Sequence, residues 1–189
     1  AAPMGISYFT LSAIWYLMEV NWGNYPAEKN FCVVANFVSF FPQIISGTIS
    51  RFAEMIEQFT KKQPLVYENI SYGIMRMIWG YFKKLVIADR VSAIASTVFS
   101  SSFVASEYSG SQILFGVLAY SFQIYGDFSG GIDISRGVAQ IFGIDMVQNF
   151  RQPYFARSVS EFWNRWNITL GGWFKKYLFY PLAMSPSFA

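Results

Sequence analysis

The sequence predicts an all-α, polytopic integral membrane protein with broken and interfacial helices. Three observations predict it. Charged residues make up 13% of the 189-residue chain, about half of the ~25% usual for a soluble domain. Hydrophobic residues make up 53% and aromatics 20%. The apolar residues gather in charge-free runs close to the ~20 residues that cross a bilayer, without the alternation of a membrane barrel. The same composition excludes disorder, which needs low hydrophobicity and high charge. A net charge of +3 is too small for a nucleic-acid surface. Cys32 is the single cysteine, so there is no disulfide framework. The chain has no histidine, which removes the commonest metal ligand and the commonest general base together. No metal and no tightly held cofactor are expected.

The elements follow in order. Ile6 to Met18 is a first span, ending before Glu19 and a polar turn at Asn24–Asn30. Phe31 to Ile49 is charge-free but holds Pro42 and Gly47, so it reads as a span or re-entrant segment broken near Phe41-Pro42. Arg51 to Gln63 is polar and lies outside the lipid core. Asn69, Gly73, Arg76, Gly80 and Lys83 recur at helical spacing, with Ile70, Ile74, Ile78 and Tyr81 on another face. This amphipathic helix suits the membrane interface. Lys61-Lys62 and Lys83-Lys84 bracket it and place it on the cytoplasmic side. Leu85 to Val104 ends in small hydroxylic residues, Ser92, Ser96, Thr97 and Ser100 to Ser102, which permit close helix packing. Ser109 to Gly126 is the cleanest span. A loop at Gln148–Ser158 precedes a last aromatic-rich stretch, Val159 to Ala183. No internal repeat is evident. The chain opens without Met or a basic leader, so it reads as a piece of a longer protein, truncated at both ends.

Two stretches carry candidate chemistry. The first is Asp127 to Arg136, where Asp127, Asp133 and Arg136 adjoin an apolar span. Ionisable groups at membrane depth pair with one another or face a cavity, and the i, i+3 spacing lets Asp133 meet Arg136. Either a structural ion pair or a cavity wall fits. The second is Arg151 to Leu170. Ser158 or Ser160 can cap a helix opening near Glu161. Trp163 and Asn167 are four apart and share a face, with Arg165 and Trp166 on others. An interfacial aromatic anchor fits this pattern, and Arg151, Arg157 and Arg165 can attract an anion.

The run Phe122-Gln123-Ile124-Tyr125-Gly126-Asp127-Phe128-Ser129-Gly130, then Asn149-Phe150, Pro153-Tyr154, Arg157-Ser158 and Glu161-Phe162-Trp163-Asn164-Arg165-Trp166, resembles the membrane-bound O-acyltransferase family. The nearest branch is the bacterial one of alginate O-acetyltransferases and teichoic-acid D-alanyl transfer proteins. Gly5 to Phe9, Phe40-Phe41-Pro42-Gln43, Ser46-Gly47 and Phe82 to Asp89 extend the resemblance over nearly the whole chain. It implies one acyltransferase-like domain over residues 1–189, with helices around a central funnel. It also implies an O-acyltransferase that moves an acetyl- or D-alanyl-type group onto hydroxyls of a cell-envelope polysaccharide or polymer. The donor is then an acyl-CoA or acyl-carrier thioester on the cytoplasmic side. The acceptor is extracytoplasmic, and the bacterial cytoplasmic membrane is the location.

The resemblance makes Asp127, Asp133, Arg136, Arg157, Glu161, Trp163, Arg165, Trp166 and Asn167 candidate substrate-binding residues. No residue is certain as catalytic. The family places a histidine after its Trp-Arg-Trp segment, where this chain has Asn167, and a second, catalytic histidine further downstream. Asparagine holds a substrate by hydrogen bonds but does not shuttle a proton near neutral pH. The 189 residues alone are therefore expected to be inactive. Two other classes stay open: a transporter or channel segment, which also uses broken helices, and a catalytically inactive scaffold of the same fold.

Overall fold

The computed structural model describes residues 5–99 and 108–185. Helices dominate as expected. Among the described residues the only β-structure is an isolated antiparallel bridge between Phe150 and Trp166.

Helix α1 (Ile6–Asn21) stops where Gly23 takes φ 73° and the Asn24 N–H closes back onto the Glu19 carbonyl at 3.0 Å. Glycine favours that left-handed stop. Asn30 caps α2 (Phe31–Ser39) by accepting from the Cys32 N–H at 3.0 Å. The expected break is present. Phe40 leaves the helix at ψ 103°, and α3 (Phe41–Ser46) restarts with Pro42 in its first turn, where the missing N–H would be unpaired anyway. Helix α4 (Phe52–Thr60) occupies the polar stretch, yet Phe52 and Met55 turn inward. They join Phe37, Phe40, Ala139, Ile144 and Met146 in one core cluster. A second cluster, Trp15, Ile49, Trp173 and Tyr177, ties α1 to the end of the chain.

Helix α5 (Tyr67–Tyr81) passes through a π turn, Phe82–Ala88, into α6 (Asp89–Phe99) without interruption. Helix α7 (Gly110–Ile141) is 32 residues long and is capped reciprocally by Ser109 and Gln112. The span expected over Ser109–Gly126 is thus only the first half of a helix that continues through Asp127, Asp133 and Arg136. No helix among the described residues is long and apolar enough to cross a membrane. Within α7, Gln112, Ser121, Gln123 and the glycines dilute the charge-free run.

Glycines set how α5 meets α7. Gly73 faces Gly137 and Gly80 faces Gly130, so the seven-residue spacing on one helix matches that on the other. A Cβ added to Gly80 would lie 2.7 Å from the Gly130 carbonyl oxygen, and one on Gly73 2.7 Å from that of Gly137. Backbone touches backbone, which is how small residues serve membrane helix pairs. The stripe expected to lie along the membrane interface is therefore a packing face: Gly73, Gly80 and Lys83 are buried against α7. Ile74, Met75, Ile78 and Trp79 point outward. Helix α7 repeats the inversion, burying Gly126, Ser129, Gly130 and Ser135 while exposing Leu114, Phe115, Leu118 and Phe122.

The hydroxylic residues of α6 are not the packing residues. Ser92, Ser96 and Thr97 donate to carbonyls three residues back, and Ala88 and Ala95 make the buried contact instead. Ser100 to Ser102 lie outside the described residues. Beyond α7, a 3₁₀ turn (Pro153–Phe155) leads to α8 (Val159–Arg165) and α9 (Ile168–Phe174). A π turn (Lys175–Phe179) and α10 (Tyr180–Ala183) follow.

The chain does contain a local echo. Gly80-Tyr81-Phe82-Lys83-Lys84-Leu85-Val86 and Gly172-Trp173-Phe174-Lys175-Lys176-Tyr177-Leu178 share a pattern, and both widen from α to π geometry there. In each, the second lysine reaches a carboxylate on another helix, Lys84 to Asp127 and Lys176 to Glu19. Seven residues with three substitutions are too short to stand out as a repeat.

Candidate functional site

The π turn sends adjacent lysines to different sides of α7. Lys83 is buried, donates to Ser129 Oγ at 3.0 Å and forms an ion pair with Asp133. Lys84, half-exposed, pairs with Asp127. This corrects the expected Asp133–Arg136 pair. A lysine from the facing helix takes Asp133, and Arg136 turns away to donate from Nε to the Met146 carbonyl at 2.9 Å, with Asp145 3.7 Å from its Nη2. The helical i, i+3 spacing allowed the contact, but a cross-helix partner won it.

Each pair borders a cavity. On the Lys84 side an apolar cavity of about 720 Å³ is walled by Phe41, Tyr81, Tyr120, Ile124 and Phe128, with Asp127 at its edge. On the Lys83 side a polar cavity of about 410 Å³ lies between α7 and the loop at 148–152, with Ser129, Asp133, Arg136, Asn149 and Arg151 in its wall. Its volume suits a small ligand.

The loop is held by the residues that follow α8. The Arg151 N–H donates to the Arg165 carbonyl at 2.9 Å, and the Ile168 N–H to that of Asn149 at 3.0 Å. Asn149, 2% exposed, is the hub. Its Nδ2 donates to Asn167 Oδ1 at 2.9 Å, and its Oδ1 accepts from both the backbone N–H and the hydroxyl of Thr169, each at 2.8 Å. Asn167 sits at φ 46°, ψ 55°. It is outside α8, which ends at Arg165, so Trp163 and Asn167 do not share a helical face as expected. Trp163 is 61% exposed. Trp166 instead packs edge-on to Phe150 at 5.0 Å and stacks on Phe162 at 5.5 Å, within an aromatic group that includes Tyr125 and Tyr154. Trp163 is thus free of the aromatic group's interior, whereas Trp166 is packed within it.

Ser158 is the cap of α8, accepting from the Glu161 N–H at 3.1 Å. Glu161 accepts in turn from the Arg157 N–H at 2.7 Å and from Arg165 at 2.5 Å. The Arg157 N–H and then the Arg165 guanidinium hold its carboxyl below the usual glutamate range. The Arg157 side chain itself is exposed.

The candidates thus form two groups. Asp127, Asp133 and Arg136 line the α7 cavities, and Arg157, Glu161, Arg165, Trp166 and Asn167 build the clasp that closes one of them. Asn149 joins the groups. The three carboxylates that could replace a missing base are all engaged: Asp127 by Lys84, Asp133 by Lys83, and Glu161 by Arg165. Sequence reasoning missed Lys83, Lys84, Ser129, Asn149 and Thr169 as site residues. Lys83-Lys84 read as a topology signal, and the buried Asn149 carries no sequence mark beyond its motif.

Asn167 is suited to its backbone, because asparagine and histidine are both enriched in the left-handed region. Asn167→Ala is expected to lose about 1–2 kcal/mol to the left-handed conformation, and the Asn149 bond with it. Asn167→Gly is expected to cost less, because glycine adopts that backbone freely. Thermal unfolding of the three proteins in detergent checks the order.

The fold and site define a helical protein in which α5 and α7 turn glycines and ionic groups inward onto one another and large apolar groups outward. The chain belongs to the membrane-bound O-acyltransferase family, whose family model matches residues 26–189. It is 37% identical over 181 residues to the probable alginate O-acetylase AlgI of Pseudomonas aeruginosa, covering 96% of this chain and 34% of that protein. It is 38% identical over 207 residues to the peptidoglycan O-acetyltransferase of Helicobacter pylori, covering 96% and 39%. Over 184 residues it is 30% identical to the teichoic acid D-alanyltransferase of Bacillus subtilis, covering 93% and 44%. The chain therefore spans between a third and a half of the length of these relatives.

Proposed function

We propose that the protein is an O-acyltransferase that esterifies hydroxyls of a cell-envelope polysaccharide or polymer with an acetyl or D-alanyl group. The observation that carries this is the similarity, over 93–96% of the chain, to relatives named for those transfers. The donor is a thioester, acyl-CoA or acyl-carrier, presented on the cytoplasmic side, and the acceptor is extracytoplasmic. The acceptor oxygen bonds to the acyl carbon, the thiolate leaves, and the hydroxyl proton passes to a base and on to the sulfur. The polar cavity beside Ser129 and Asn149 is where we place the acceptor's hydroxyls, because it combines hydrogen-bonding groups with the motif residues. Asn167 positions substrate through Asn149.

We further propose that residues 1–189 belong to one acyltransferase-like domain in a bacterial cytoplasmic membrane. The inward glycines and charges and the outward Ile78, Leu85, Leu114 and Phe115 support a lipid setting, since a water-facing helix pair would carry the reverse pattern. The test is ester-linked acetate and D-alanine released by mild base from envelope polymer, in a host lacking its own transferases. Expression of a full-length protein carrying these residues is expected to raise one of the two esters, Asn167→Ala to lower that gain modestly, and residues 1–189 alone to give none, since they hold no histidine. No gain with the wild type, together with a gain for Asn167→His, would assign an inactive scaffold.

A further inference from the structure

The polar cavity continues into a second lobe of about 420 Å³, lined by Tyr72, Met75, Arg76, Trp79, Asp133, Arg136 and Gln140. Trp79, Asp133 and Arg136 belong to both walls. The charges around this cleft do not balance. Lys83 is matched by Asp133, leaving Arg76, Arg136 and Arg151. Among the described residues no carboxylate forms an ion pair with Arg76 or Arg151. Beyond its bond to the Met146 carbonyl, Arg136 has as its ion-pair contact Asp145 at 3.7 Å, whose side chain is 88% exposed, while its own is 15% exposed. Arg76, across the helix pair, acts on Arg136 as a like charge, opposed by Asp145 and Asp133.

The two arginines stand on helices whose backbones are locked by glycine contacts, so a bound anion can relieve that repulsion where helix movement cannot. Beside them, Gln140 Oε1 is buried without a hydrogen-bond partner, an acceptor that suits an O–H on the ligand rather than a bare anionic oxygen. Guanidinium forks match the oxygens of a phosphate in paired hydrogen bonds, and a concave site strengthens the field that draws an anion in.

We propose that the cleft between α5 and α7 is a binding site for a phosphate-class anion, held by Arg76 and Arg136 with the Lys83–Asp133 pair as its neutral floor. The excess of positive charge exceeds what one carboxylate offsets, which favours a phosphate over a lone carboxylate. The site rests on these charges and not on acyl transfer, although a phosphate-bearing donor or acceptor of the proposed transfer also fits it. Three sources share the chemistry: free phosphate, a phosphate-bearing thioester and a phosphodiester polymer.

The test is binding by the purified protein in detergent, read as thermal protection and by titration calorimetry. Inorganic phosphate, acetyl coenzyme A and a glycerol-phosphate oligomer are the probes, with sodium chloride at matched ionic strength as the blank. At least one probe is expected to bind, and Arg76→Gln and Arg136→Gln each to weaken it at least tenfold. Arg90→Gln, on an exposed arginine of α6 outside the cleft, is expected to leave it unchanged. The tightest probe assigns the source. Arg76 is not packed in the core, so its variant tests the site even if Arg136→Gln fails to fold. Binding no stronger than the chloride blank, or equal binding by wild type and Arg76→Gln, would overturn the site. A full-length protein that binds phosphate through Arg76 but transfers no acyl group keeps the site and removes the transferase reading; the converse result removes the site alone.

Discussion

Gly80→Leu is expected to prevent α5 and α7 from closing, so that little monodisperse protein survives size-exclusion in detergent. Even the first added atom would sit 2.7 Å from the Gly130 carbonyl oxygen and 2.9 Å from the Ile134 nitrogen. Both are backbone atoms, so no side chain can swing aside. Overpacking ordinarily costs about 1–3 kcal/mol because neighbours give way; here the neighbour is a helix, and the cost is expected at or above that range. Gly172 is the control. It lies in α9, and an added Cβ meets nothing within 4 Å. Gly172→Ala is expected to stabilise by about 0.5–1 kcal/mol through the lower entropy of the unfolded chain. Equal melting temperatures for Gly80→Ala and Gly172→Ala would refute the backbone contact.

Lys83→Met is expected to cost about 3 kcal/mol. It leaves Asp133 without its partner and Ser129 without its donor, and breaking a buried pair costs about 3–5 kcal/mol. The lower end applies because the Asp133 side chain keeps 23% exposure, against 10% for Lys83. Lys84→Met is expected to cost about 0–1 kcal/mol, since its pair with Asp127 is 43% and 53% exposed. Adding Asp133→Asn to Lys83→Met is expected to recover part of the loss by removing the stranded charge. Unfolding midpoints of the single and double variants measure this, and equal losses at Lys83 and Lys84 would contradict the burial argument.

The helical class, the break beside Pro42 and the Ser158 cap were legible because each has a local cause: composition, a missing N–H and a hydroxyl three residues before Glu161. The orientation of α5 was not. Its glycine and lysine stripe looks like a polar face, and only the matching stripe on α7, some fifty residues on, makes it an interior. Asp133 illustrates the same limit. Its neighbour in sequence, Arg136, was a sound geometric partner, but the shorter contact comes from Lys83, which no spacing rule on one helix can find. Asn167 was found through the motif, whereas its partner Asn149 needed the fold, because the loop must turn back before the two amides meet.

The paired glycines also decide which parts of the molecule can move. Where backbone lies on backbone, one helix cannot slide along the other without lifting its carbonyls over the opposing chain, and close-packed contacts of this kind have few intermediate arrangements. Helices α5 and α7 therefore travel as one bar. The 148–152 loop is fastened differently, by a few hydrogen bonds and aromatic edges to residues 165–169, and such contacts can be broken and remade singly. The cavity wall on the bar is thus fixed in shape, and any change in the cavity's outline falls to the clasp side, where Asn149 and Phe150 meet Asn167 and Trp166.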